Sequence, residues 1–233
     1  RGSAASGDVS PATAVSAPLT IAVLPFSNHS EGPDSDYIAS GLSEELLGVL
    51  ARSSAFRVTA RTSSFQFKDK GRDIAEVARQ LGVRYVIQGS VRKSAEKVRV
   101  GVQLVDAQSG FHLWADTFEQ PLSELFALQQ RIAAPIARAL NVTLVQSGGL
   151  RAHGAGNAEA HLEYLKARQL MSSWTVADAE VAAHHLQRAI ELDPDYAAAY
   201  VQLANTILIR YTAAASQSSG HKLVAPLIEK ALM

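Results

Sequence analysis

The stretch Arg84-Tyr-Val-Ile-Gln-Gly-Ser-Val-Arg92 begins a run of three predicted strands, and this run decides the fold class of the chain. Apolar residues alternate with polar ones in this stretch, and the same alternation continues in segments 97–105 and 111–118. Only a few polar residues separate one segment from the next. Because parallel strands need a long crossover connection, these short links predict antiparallel pairing between neighbouring strands.

Two strand–helix units precede this run. Residues 21–26 form a short apolar run that is typical of a buried strand, and residues 56–60 predict a second strand. An amphipathic helix is predicted after each strand, and Gly82 stands where the second helix should end in a glycine cap. A polar loop is expected at 27–35.

A last helix is predicted over residues 121–140, and Pro135 should kink or split it because proline donates no backbone hydrogen bond. The predicted order is therefore β-α-β-α-β-β-β-α, which is a mixed-sheet α/β domain with helices packed on the sheet. Within the first strand of the antiparallel run, we expect the missing side chain of Gly89 to leave room for a neighbouring backbone or helix.

The composition divides the chain into two folded parts and two linkers. Residues 1–19 are rich in small and polar residues and predict a flexible linker before the α/β domain of residues 20–145. A glycine-containing linker is predicted at 146–157. Apolar residues at helical spacing then predict an all-helical segment over 158–233. The fold class is thus an α+β domain followed by helical repeats.

Bulk properties exclude several classes of protein. The absence of cysteine excludes disulfides, thiol catalysis and cysteine-based zinc sites. Lys and Arg together number 22 and are balanced by 22 Asp and Glu, so there is no general attraction for nucleic acid or anionic lipid. No apolar run is long enough to span a bilayer and no signal peptide is visible. The opening Arg-Gly-Ser and the unfinished helix at Met233 indicate a piece of a longer parent protein.

The sequence contains no phosphate loop, dinucleotide fingerprint, nucleophile elbow or His-Glu-x-x-His motif. We therefore expect no enzymatic activity, no cofactor and no metal. Because adjacent side chains diverge on a helix, we expect Glu44 and Glu45 on a solvated face. For the same reason His184 and His185 should have surface or packing roles.

Three further groups bear polar side chains. His112 and Asp116 share a predicted strand face, where a structural role across the strands is favoured over catalysis. Segments 61–64 and 89–93 contain hydrogen-bond donors that suit an anion, but sheet-edge and loop roles are favoured for both.

The helical segment resembles the tetratricopeptide repeat, a family of stacked helix pairs. The resemblance implies repeat-packing roles for Ala182, Leu186, Ala189, Pro194, Leu203 and Ala204. About two units are implied, with a concave groove that holds a peptide. The residues that we assign to this groove are Tyr164, Arg168, Tyr200, Gln202 and Asn205.

The first half resembles the TolB-type amino-terminal domain that precedes tetratricopeptide repeats. The segments that carry this resemblance are Ile21–Phe26, Asp36–Leu46, Arg57–Phe65, Leu81–Lys93, Gln103–Asp106 and His112–Asp116. The resemblance implies that the module follows one transmembrane helix and lies outside the cytoplasm. The cytoplasmic output domain would be a winged-helix DNA-binding domain, as in CadC/ToxR-like regulators, or a class III nucleotidyl cyclase or Ser/Thr kinase.

These resemblances lead to hypotheses of different classes. The first is a sensory and protein-interaction module at the periplasmic face of the bacterial inner membrane, belonging to a membrane-anchored winged-helix transcriptional regulator. Its expected partner is a protein or peptide, with a small-molecule signal and homodimerisation as further candidates. No direct contact with nucleic acid is expected. The alternatives are the regulatory region of a cyclase or kinase, and a periplasmic scaffold.

Overall fold

A computed structural model describes residues 18–30, 35–68, 73–94, 97–142, 157–171, 175–213 and 217–232. It shows a mixed-sheet α/β domain followed by a helical segment, which confirms the predicted fold class. The predicted linkers at 1–19 and 146–157 fall outside the described residues, apart from Pro18, Leu19 and Asn157.

The α/β domain follows the predicted order of elements, with two short additions. Its strands are β1 Leu19–Val23, β2 Ser27–Asn28, β3 Phe56–Val58, β4 Tyr85–Ser94, β5 Lys97–Asp106 and β6 Phe111–Pro121. Its helices are α1 Asp36–Ala51, α2 Arg61–Ser64, α3 Ile74–Leu81 and α4 Leu125–Ala139. Short 3-10 turns follow α2 at Phe65–Phe67 and precede α4 at Leu122–Glu124.

The strands form a mixed sheet in the order β3-β1-β4-β5-β6. Strand β1 lies parallel to both β3 and β4, whereas β4, β5 and β6 pair antiparallel, as their short connections predict. Helices α1 and α4 cover one face of the sheet and form the main core with it. Helix α3 covers part of the other face, where Val77 and Ala78 pack against Leu24 and Val86.

Two local predictions about backbone geometry had different outcomes. Gly82 ends α3 in the left-handed conformation with φ of 65°, which confirms the predicted glycine cap. Helix α4 continues through Pro135 to Ala139, so of the predicted kink or split the split is wrong, and the kink stays a prediction. The lost hydrogen bond is offset because Leu128, Ile132 and Ile136 are all fully buried in the main core.

The predicted loop at 27–35 is also partly wrong, because Ser27 and Asn28 form β2. This two-residue strand pairs parallel with Ser90 and Val91 of β4. The Asn28 side chain donates a hydrogen bond to Asp36 at the start of α1. A polar dipeptide carries no strand signal of its own, and the part of β4 beyond the end of β1 supplies the pairing.

The helical segment contains α5 Ala158–Leu170, α6 Val176–Leu192, α7 Ala197–Ala213 and α8 Gln217–Leu232, and each helix packs against the next. Two of these helices begin at capping residues: Asn157 accepts backbone hydrogen bonds from Glu159 and Ala160, and Thr175 accepts one from Asp178. The residues assigned to repeat packing that are buried are Ala182, Leu186, Ala189, Leu203 and Ala204. Pro194 is exposed in the connection between α6 and α7.

Glu163 of α5 contacts two titratable side chains, Lys166 and His185. It accepts a hydrogen bond from Lys166 at 2.7 Å, and its Oε2 lies 2.6 Å from His185 Nδ1 on α6. Burial favours the neutral acid, but the hydrogen bonds from Lys166 and His185 outweigh burial and lower the pKa of Glu163. His185 thus has a packing role between helices, while His184 is exposed, as expected for the pair.

Gly89 lies where β5 and Phe26 approach β4 most closely. A Cβ atom at this position would lie 2.6 Å from the carbonyl oxygen of Gly101 and 3.1 Å from carbons of the Phe26 ring. This confirms that the missing side chain leaves room for a neighbouring backbone.

We expect Gly89→Ala to lower the free energy of unfolding by about 1–3 kcal/mol, because a backbone oxygen cannot move away as a flexible side chain does.

Gly101→Ala is the matched control for this substitution in urea unfolding. A Cβ at Gly101 would meet Ser90 Oγ at 3.5 Å, which is an ordinary contact. We expect no loss of stability there, because alanine is stiffer than glycine in the unfolded chain. Equal effects of the two substitutions would contradict the crowding at Gly89.

Glu163→Gln should reduce the loss of stability in acid. The carboxyl group has a lower pKa in the folded chain than its ordinary value of 4.5, so its stabilising effect is complete above that value. The effect is lost as the pH falls through the folded-state pKa. Urea unfolding from about pH 7 to about pH 3 should therefore show a shallower decline for the variant than for the natural chain. Glu159→Gln, at an exposed position of the same helix, is the matched control.

Candidate functional site

The helical segment packs directly on the α/β domain through α5 and α1. A Cβ at Gly41 of α1 would lie only 2.5 Å from Leu165 Cδ2 on α5, so the glycine permits this close approach. Leu165 is 1% exposed and belongs to the main core of the α/β domain. The two parts of the chain therefore share one hydrophobic core.

This packing buries Glu44, which lies one turn after Gly41 on the same face of α1. The Glu44 carboxylate accepts hydrogen bonds from Arg61 of α2 and from Arg168 of α5. The expectation of a solvated face for Glu44 and Glu45 is thus wrong, because α5 covers that side of α1. Covering a carboxylate is costly unless it is paired, and here two guanidinium groups pair it.

Arg168 also lies beside aromatic and acidic groups of the same interface. Its guanidinium carbon is 5.6 Å from the centre of the Tyr164 ring. Burial disfavours the charged guanidinium. Electrostatic interactions, first with Tyr164 and then with Glu44, outweigh burial and raise the pKa of Arg168. Burial likewise raises the pKa of the Tyr164 hydroxyl. Arg168 is therefore a permanent cation and Tyr164 a neutral phenol at neutral pH.

A second polar cluster lies next to the first one. His161 of α5 is 1% exposed, and its Nδ1 lies 2.9 Å from the Tyr196 hydroxyl. Its Nε2 lies 3.3 Å from a carboxylate oxygen of Glu45 on α1. Burial, followed by the neighbouring Tyr164, raises the pKa of Tyr196. These contacts link α1, α5 and the connection before α7.

An open cleft of about 510 Å³ lies where the two parts of the chain meet. The residues that line it are Glu44, Arg61, Arg168, Met171, Gln202, Asn205, Leu208 and Ile209. The charged groups come from α1, α2 and α5, whereas α7 supplies two amides and two aliphatic side chains. The cleft therefore offers a cationic wall opposite an amide and apolar wall.

A family model described as the HilA/YgeH-like transcriptional regulator, second domain, matches residues 17–135 of the chain. The chain belongs to this family. The match covers all six strands of the HilA/YgeH-like domain, and it includes Glu44 and Arg61 of the cleft. It ends before Arg168 and the amides of α7, so the cleft joins the family domain to the segment that follows it.

One curated relative is "Putative adenylate cyclase 3" of Rhizobium meliloti (strain 1021). It is 38% identical to this chain over 187 residues, which is 79% of this chain and 32% of the relative. The HilA/YgeH-like chain thus spans about a third of the length of that protein.

Solved structures show partial likeness to the chain. TolB from Acinetobacter baumannii has a TM-score of 0.42 and 22% identity, over 53% of this chain and 28% of TolB. The LpoB C-terminal domain from Salmonella enterica has a TM-score of 0.38 and 21% identity, over 47% of this chain and 87% of that domain.

The predicted groove residues of this HilA/YgeH-like chain divide into two groups. Arg168, Gln202 and Asn205 line the cleft together. Tyr164 lies behind Arg168 and packs on Tyr196, with ring centres 5.1 Å apart. Tyr200 is half-buried and is not among the lining residues. Binding by these residues stays a prediction.

Sequence reasoning missed the α/β side of the cleft, above all Glu44. A signal existed, because Gly41 in the middle of a helix indicates close approach by another element, and Glu44 follows it by three residues. Arg61 was noted only as a donor for an anion, and that anion proves to be the Glu44 carboxylate.

Two kinds of feature are absent from the residues that the structure describes. Among the residues that the structure describes, no group of three or more His, Asp or Glu side chains is arranged to hold a metal ion. Within those same ranges, no helix has the length and apolar character needed to cross a membrane.

Glu44→Gln should lower the free energy of unfolding by about 1–3 kcal/mol. The substitution leaves two guanidinium groups facing each other without a counter-charge, and their partial exposure limits the cost. Glu191→Gln is the control, because Glu191 pairs with Arg188 on an exposed surface and should contribute less than about 0.5 kcal/mol. Urea unfolding of both variants measures the difference, and equal effects would mean that Glu44 is solvated.

Proposed function

We propose that this chain is the non-enzymatic sensory and protein-interaction module of a membrane-anchored bacterial signalling protein. The cleft between the α/β domain and the helical segment holds the partner. The observation that carries this proposal is the open cleft of about 510 Å³, in which cationic, amide and aliphatic groups face one another. This mixture suits recognition of a peptide or protein surface.

The groups in the cleft support binding better than catalysis. An arginine does not act as an acid or base near neutral pH, and the Glu44 carboxylate is engaged by two arginines. The amides of Gln202 and Asn205 donate and accept hydrogen bonds without titrating. A surface of this kind recognises polar atoms and excludes water around them.

The helical segment is proposed to be a tetratricopeptide-type array. Support comes from the consecutive packing of α5 to α8 and from the burial of Ala182, Leu186 and Ala189 where helices meet. The proposed location is the periplasmic face of the inner membrane, with attachment through a transmembrane helix outside this chain. The resemblance of the first half to TolB-type amino-terminal domains supports that location.

The output of the parent protein has two candidates. Membership of the HilA/YgeH-like transcriptional regulator family favours a winged-helix regulator that responds to the module. The 38% identity to a putative adenylate cyclase favours a cyclase with the same regulatory module. Both candidates need a partner that binds one arrangement of the two parts more tightly than another, since only differential affinity shifts an equilibrium. Homodimerisation stays a further candidate for that change.

Selection of random dodecapeptides on the purified chain tests the proposed function. We expect enriched peptides whose binding, measured by fluorescence anisotropy, is weakened about tenfold or more by Leu208→Ser, because that change removes apolar contact area in the cleft. Val201→Ser is the matched control, since Val201 is exposed on the same helix and does not line the cleft. Failure to enrich any peptide, or equal weakening by the two variants, would refute the proposal.

A further inference from the structure

We propose that the cleft selects an acidic peptide segment, in which an Asp or Glu flanked by aliphatic residues binds Arg61 and Arg168 alongside Glu44. The inference rests on the proposed function and specifies the chemistry of the partner. It follows from the net charge of the lining, from the exposure of Glu44 and the two arginines, and from the amide and apolar residues of α7.

The charge balance of the lining favours a negative ligand. Arg61 and Arg168 contribute two positive charges and Glu44 contributes one negative charge, and the other lining residues are uncharged. The lining therefore carries a net charge of about +1. Glu45 lies outside the lining, where its carboxylate is 3.3 Å from His161 Nε2.

The arginines retain capacity for another carboxylate. Each guanidinium carries five N–H donors, whereas the Glu44 carboxylate offers only two oxygen atoms. Arg61 uses its Nε towards one of these oxygens, and Arg168 uses one Nη2 towards the other. An incoming carboxylate therefore finds donors on both guanidinium groups that Glu44 does not occupy.

The exposure of the three side chains shows which groups a ligand meets first. The side chains of Arg61 and Arg168 are 33% and 25% exposed, whereas that of Glu44 is 6% exposed. The carboxylate thus lies behind the two guanidinium groups as seen from the solvent. A negative group that enters the cleft meets positive charge before it meets Glu44.

The opposite wall indicates a peptide rather than a small carboxylate. Gln202 and Asn205 present amides that suit the N–H and C=O groups of an extended backbone. Leu208 and Ile209 lie on the same helix, and Met171 lies at the end of α5. These apolar side chains suit aliphatic residues next to the acidic one, and they offer nothing to a free dicarboxylate.

A ligand carboxylate on the remaining donors adds charge-assisted hydrogen bonds, while Glu44 keeps its own bonds to both arginines. Arg61 belongs to the α/β domain and Arg168 to the helical segment, so a ligand carboxylate joins the two parts of the chain. Binding is therefore coupled to how closely α5 lies on α1. This coupling supplies the differential affinity that a sensor needs.

The first test compares acidic peptides with their amide counterparts. Dodecapeptides selected on the chain are resynthesised with every Asp changed to Asn and every Glu to Gln. We expect the acidic forms to bind about tenfold more tightly than the amide forms, because each lost charge-assisted bond to arginine weakens binding. Selected peptides that depend on Leu208 but bind equally well as amides would overturn this inference and leave the proposed function standing.

The second test uses variants of the lining. We expect Arg61→Gln and Arg168→Gln to weaken the acidic peptides about tenfold and to leave the amide peptides nearly unchanged. Arg99→Gln, at an exposed position of β5, is the matched control and should alter neither. Glu44→Gln should strengthen binding of the acidic peptides, because the negative charge that repels the ligand carboxylate is removed.

Thermal unfolding identifies the variants that remain folded before any titration. Unchanged affinity for the acidic peptides in folded Arg61→Gln would overturn the inference, even if Glu44→Gln does not fold. Free glutarate is the probe for the alternative source of the carboxylate. Competition by glutarate at the concentration at which the peptides bind would overturn the assignment of a peptide, whereas failure to compete supports it.

Discussion

The packing of α5 on α1 is the constraint on which the cleft depends. Gly41 allows Leu165 to enter the core of the α/β domain, and this contact sets the distance between the two helices. At that distance Glu44 loses its solvent and must be paired within the protein. The arginines come from α2 on one side and from α5 on the other, so the ion cluster forms only when the helical segment is in place.

The Glu44 cluster determines geometry more than it contributes stability. Removing a carboxylate from water costs several kcal/mol, and the attraction of two partly exposed arginines roughly offsets that cost. Such a cluster nevertheless fixes which side chains face the cleft, because any other arrangement leaves a buried charge unpaired. The neighbouring contacts of His161 with Glu45 and Tyr196 add a second polar connection across the same interface.

The proposed role of the cleft applies equally to both candidate outputs of the parent protein. The HilA/YgeH-like family match ends within α4, yet the cleft needs Arg168 of α5 and the amides of α7. The cleft is therefore a property of two adjoining parts rather than of the family domain alone. A partner that alters their contact changes the relation between the α/β domain and the helices, whichever output domain is attached. Both the regulator and the cyclase hypotheses use this same physical change.

The sequence by itself determined those features that depend on local periodicity and backbone chemistry. The alternation in 84–118 and its short connections predicted the antiparallel strands, and the glycine positions predicted the end of α3 and the close approach at Gly89. The apolar spacing also predicted α1, α3 and the helical segment. Most of these features depend on local patterns and short connections, and the tertiary contacts, such as that of Phe26 with Gly89, agree with them.

Only the tertiary structure decided the pairing of β2, the continuity of α4 through Pro135 and the burial of Glu44. In each case a contact distant in sequence outweighed the local preference. Strand β2 pairs with β4, α4 packs its apolar side chains into the core, and α5 covers Glu44. Arg61, Glu44 and Arg168 are far apart in the chain, and no local sequence pattern predicts that the two arginines share one carboxylate. The cleft arises from the way that helices pack on a domain, and the energy of that packing belongs to the whole fold.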